Sequence, residues 1–82
     1  MSIPGTQSLS ELPVGTTARV TAISEAAAPH VARRLVDLGL TIGTEVTVVR
    51  KAPLQDPAIY HFRDTSFCLR KEQAKYVRVV AC

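Results

Sequence analysis

The chain has 82 residues, 46% apolar and 21% charged. That length holds one compact core and excludes a second domain, and the composition excludes a disordered polymer. Ten Lys and Arg against seven Asp and Glu leave a net charge of +3, and Asp37 and Glu72 interrupt the basic pairs, so no nucleic-acid partner is expected from charge. No apolar run approaches the roughly 18 residues of a membrane-spanning helix, and the first ten residues lack a signal-peptide core, which predicts a cytoplasmic protein. Cys68 and Cys82 fit no disulfide framework and are expected as free thiols.

Ser8 to Glu11 has capping-box spacing, and Pro13 limits the helix begun there to a single turn. After Pro13-Val14-Gly15, residues Thr17 to Ile23 alternate as a strand with Ala18, Val20 and Ala22 inward. Pro29 suits a first helical turn, so a helix is expected from there, with Val31, Leu35 and Leu38 on one apolar face. Gly39 should end it as a left-handed cap, with Leu40 supplying the accompanying apolar contact.

Gly43 then opens a turn into a second strand, Glu45 to Lys51, with Val46 and Val48 inward. Pro53 and Pro57 remove two ladder donors and separate it from a third, Ala58 to Arg63. That segment can be read in either phase; placing Ala58, Tyr60 and Phe62 inward puts the largest side chains in the core. Asp64-Thr65 is expected at the hairpin tip, setting Phe62 opposite Phe67 and His61 opposite Cys68, with Phe67 and Leu69 inward. One helical turn from Lys71 to Lys75 precedes a closing strand, Tyr76 to Val80, with Val77 and Val79 inward. The result is a mostly β chain, one domain over residues 1–82. Five short strands curl into a small, partly open barrel with one inserted helix and short helical turns.

Three segments, in this order and spacing, carry a resemblance: Arg34-Leu35-Val36-Asp37-Leu38-Gly39-Leu40-Thr41-Ile42-Gly43, Ala52-Pro53-Leu54-Gln55-Asp56-Pro57, and Leu69-Arg70-Lys71-Glu72-Gln73-Ala74. Together with Leu12-Pro13-Val14-Gly15 they make nearly the whole chain similar to the FeoA family of bacterial ferrous iron uptake. The resemblance implies an SH3-like barrel, no enzyme chemistry and no cofactor. It also implies an accessory role toward the cytosolic domain of FeoB, the membrane ferrous iron transporter, so that the chain would meet the membrane only through that partner. Gln55 and Asp64 stand where the family often has glycine, which puts both turns in question. The same module resembles the C-terminal domain of DtxR-type metal-dependent repressors. The alternative function is therefore a stand-alone regulator binding nucleic acid or a transcription factor, although the 82 residues contain no helix-turn-helix.

Catalysis finds little support, since the carboxylates are scattered singly and neither His30 nor His61 lies in a nucleophile or phosphate-loop motif. No metal site is expected either. His61 and Cys68, if opposed across the hairpin, would supply only two ligands, with Asp64 and Cys82 as the nearest further donors, where zinc needs three or four from protein. The expected working surface is a docking patch of Leu40, Ile42 and Leu54, with Arg33 and Arg34 as steering charge. Association into a homo-oligomer is also compatible with the sequence.

Overall fold

The computed structural model describes residues 6–81. Six strands, β1 (Thr6–Ser8), β2 (Thr17–Ile23), β3 (Glu45–Lys51), β4 (Ala58–Phe62), β5 (Thr65–Leu69) and β6 (Val77–Ala81), form one antiparallel sheet in the order β1-β6-β2-β3-β4-β5. The helix α1 (Pro29–Asp37) is inserted between β2 and β3, and the four-residue α2 (Lys71–Ala74) between β5 and β6. Single 3-10 turns occupy Leu9–Glu11 and Pro53–Gln55. The sheet curls around one apolar interior, giving a body of 29 × 28 × 26 Å, and its two edge strands do not pair with each other. It is a small, partly open barrel.

The sixth strand corrects the expected five. β1 pairs Thr6, Gln7 and Ser8 with Val80, Val79 and Arg78, and it is stabilised by β6 alone, because its three polar residues carry no alternation of their own. The turn after it forms as its sequence suggests. Glu11 Oε1 accepts from the Ser8 N–H at 3.4 Å and from the Ser8 hydroxyl at 3.0 Å, while Leu9 enters the core.

β2 and β3 bury Ala18, Val20, Val46 and Val48 as expected. Ala22 departs from the expected face. A bulge between Val20 and Ala22 against β6 shifts the phase, so Ala22 is exposed and Ile23 turns toward the core.

In α1, Leu35 alone is fully buried, while Val31 and Leu38 are half-buried against the core. Gly39 has φ +104°, its N–H donates to the Val36 carbonyl at 2.9 Å, and the Leu40 N–H donates to the Leu35 carbonyl at 3.1 Å. This double bond pattern satisfies the last carbonyls of the helix and needs a residue at ease with positive φ. It also points Leu40 straight into the core, where it is 0% exposed.

The β4–β5 hairpin turns one residue earlier than expected. Arg63 (φ +48°) and Asp64 (φ +63°) form its two-residue loop, both left-handed as a type I′ turn requires, so Phe62 pairs with Thr65. The register moves accordingly: Tyr60 stands opposite Phe67, His61 opposite Ser66 and Ile59 opposite Cys68. The inward set survives, with Ala58, Tyr60, Phe62 and Leu69 buried and Phe67 packed edge-on to Phe62 at 4.9 Å. A shift of two residues in pairing preserves the face of every side chain.

Candidate docking surface

A few titratable side chains are committed to local structure. Arg19 pairs with Glu45 at 3.2 Å, Glu11 holds Ser8, and Asp56 Oδ1 accepts from the Lys71 N–H at 2.9 Å. Among the described residues, no three His, Cys, Asp or Glu side chains come together as a metal site would require. His61 and Cys68 are not opposed: His61 Nδ1 lies 3.1 Å from the Ser66 hydroxyl, and Cys68 is exposed beside Ile59. Cys82 lies outside the described residues. The buried Tyr60 phenol is pushed up to about 12 by burial, then by the nearby charges of Asp56 and Cys68, and stays neutral at physiological pH.

The expected patch of Leu40, Ile42 and Leu54 does not exist as one surface. Leu40 is buried and corrected out of it, because the helix cap directs it inward. Ile42, 78% exposed, precedes β3, and Leu54, 98% exposed, comes after it. A seven-residue strand of about 20 Å lies between them. Leu54 is the more unusual of the two, for it holds φ +68° with its side chain almost wholly in water. A leucine gains nothing locally from that conformation.

Arg33 and Arg34 are both exposed on α1, and they part company there. Arg33 lies on an open groove along the helix with His30 and Asp37. Arg34 also reaches a cleft of about 630 Å³ between α1 and the end of β5, whose other walls include Cys68, Arg70, Lys75 and Tyr76. A second depression of about 460 Å³ shares Pro57 and Cys68 with that cleft and adds Ile59, Arg50, Lys51 and Pro53, the neighbour of Leu54. The two adjoin at Pro57 and Cys68, the second mostly apolar and the first mostly polar, and their walls carry five cations, Arg34, Arg50, Lys51, Arg70 and Lys75, with the carboxylate Glu72 among them and Asp56 close by. The sequence shows these cations in separate places. Only the fold gathers them.

A curled antiparallel sheet of this size with an apolar interior and its charge outside belongs to the SH3-like class of small β barrels. The FeoA domain model matches residues 7–81, and the chain belongs to the FeoA family of ferrous iron transport. The FeoA of Stenotrophomonas maltophilia, described as a prokaryotic SH3 domain protein and solved in complex with zinc, is 40% identical. That match covers 89% of this chain and 88% of the other at a TM-score of 0.79. A fusion of Fe(2+) transport protein A with the Fe(2+) transporter FeoB from Porphyromonas gingivalis is 38% identical over 47 residues, 57% of this chain. The chain spans 6% of that relative's length. A manganese-dependent transcriptional repressor, 20% identical over the whole chain and 45% of its own, has a TM-score of 0.85 and shares the fold alone. No helix of the described residues is long and apolar enough to cross a membrane.

Proposed function

We propose that this chain is a cytoplasmic, non-enzymatic accessory of ferrous iron uptake that acts by docking onto the cytosolic domain of a FeoB-type transporter. The observation that carries this reading is the fusion protein, in which a related segment and FeoB share one polypeptide. Two modules joined covalently in one organism work at high mutual concentration, which is the arrangement expected of partners that meet when separate. The face that carries Arg34 and the apolar depression supports the reading from the side of geometry: Pro53 in the wall of that depression adjoins Leu54, an exposed leucine at positive φ, and cations flank it, which suits contact with a protein surface. Arg33 adds steering charge on the adjoining helix face. Among the described residues the interior is hydrocarbon apart from the Tyr60 phenol, Ser8 and Thr44, which leaves the outer surface to meet a partner.

The test is a titration of the folded chain with the purified cytosolic domain of a FeoB-type transporter, with and without ferrous iron and guanine nucleotide. Saturable binding that falls on Leu54→Asp, with the fold intact, is the expected result. Wild-type binding that is absent under all four conditions overturns the reading. A regulator of nucleic acid would instead bind duplex DNA with an affinity that collapses as salt rises.

A further inference from the structure

The two edges of the sheet are built differently. Among the described residues β1 is three residues long, a short edge that offers few open groups to another strand. β5 runs five residues, Thr65-Ser66-Phe67-Cys68-Leu69, without a charge, a proline or a bulge. Natural sheets blunt edges of this length with one of those devices, since an open ladder recruits any extended chain.

The pairing shows which groups are open. Around a two-residue hairpin loop the flanking pair Phe62 and Thr65 exchanges both backbone hydrogen bonds, and alternation makes Tyr60 with Phe67 and Ala58 with Leu69 the next bonded pairs. Ser66 and Cys68 therefore turn their N–H and C=O groups away from β4. Among the described residues neither bonds to a loop, turn or cap. Their side chains are exposed as well. Cys68 also lines the cleft against α1, whose wall carries Arg34, Arg70 and Lys75, and Arg63 stands at the opposite end of the edge.

We propose that β5 accepts a seventh strand, an extended acidic segment of a partner protein that bonds to the backbone of Ser66 and Cys68 and sets its carboxylates against Arg34, Arg70 and Lys75. This deepens the docking reading above and rests on it for the partner being a protein. Main-chain bonds of this kind supply affinity regardless of side chain, while the flanking cations select against basic segments. A second copy of this chain fits less well, because its own β5 is bounded by Arg63 on one side and Arg70-Lys71 on the other.

The test uses the full chain, labelled with nitrogen-15, and a blocked octapeptide alternating glutamate and valine. The expected result is that the Ser66 and Cys68 amides shift most and that their hydrogen exchange slows by about tenfold or more at saturation. N-methylating alternate peptide amides on the bonding edge, or the double variant Arg34→Glu with Arg70→Glu, should each weaken binding by about tenfold, the latter with an unchanged circular dichroism spectrum. Equal binding of the N-methylated peptide, shifts confined to other strands, tighter binding of an oligothymidylate or of phosphatidylserine vesicles at the same amides, or a peptide-free dimer through β5 would each overturn the proposal. A parallel titration separates the two readings. If the FeoB-type cytosolic domain binds wild type and the double variant equally, the edge is wrong and docking stands; if it does not bind wild type, docking is wrong and the peptide result alone decides the edge.

Discussion

Gly39 lies so close to the ring of Phe62 that a Cβ at its position would fall 2.6 Å from Cε2 and 2.8 Å from Cζ. The end of α1 is thereby seated on β4, and the glycine serves twice, as the left-handed cap and as the gap into which the ring fits. Gly39→Ala meets both demands at once, strain at φ +104° and a collision with a buried ring. A loss of about 2 to 4 kcal/mol is expected in chemical denaturation. Adding Phe62→Leu should return part of that loss by removing the collision; strict additivity of the two changes would show that the contact does not matter.

Leu35 and Leu38 separate the roles within α1. Leu35→Ala removes a fully buried side chain and should cost about 2 to 5 kcal/mol. Leu38, half-buried at the cap, should cost less than half of whatever Leu35 costs. Urea midpoints for the two variants decide this, and equal losses would contradict the burial difference.

Leu54 offers a trade between stability and binding. Leu54→Gly relieves a left-handed leucine that buries nothing, and after the entropy glycine adds to the unfolded chain a net gain of about 0.5 to 1 kcal/mol is expected. The melting temperature should rise while affinity for the transporter's cytosolic domain falls. A fall in both would mean that the leucine holds the loop together.

Alkaline pH should reveal Tyr60. Its folded pKa of about 12 lies above the ordinary value of 10, so the buried neutral phenol contributes stability that is fully present below pH 10 and is lost as pH rises from 10 toward 12. The loss should approach about 2 to 3 kcal/mol. Tyr60→Phe should flatten that part of the stability profile. A slope that survives in this variant would assign the effect to another group.

What the sequence determined by itself was the order of elements and most of the inward set. Pro29 opens α1 and Gly39 closes it, Gly43 precedes β3, the prolines at 53 and 57 hold β3 and β4 apart, the alternations in β3 and β6 choose their buried faces, and in β4, whose pattern fits either phase, the size of Tyr60 and Phe62 does. These are effects of one residue on its own backbone or its own hydration, and they act before any long-range contact forms. Tertiary structure decided what depends on a distant strand. β6 created β1, the bulge against β6 exposed Ala22, and the cap swung Leu40 into the core. The hairpin settled on Arg63-Asp64, two residues with no glycine to advertise positive φ, and so parted His61 from Cys68. The cationic face around Cys68 is of the same kind, since its charges lie far apart along the chain and become neighbours only when the sheet curls, a geometry that no local preference encodes.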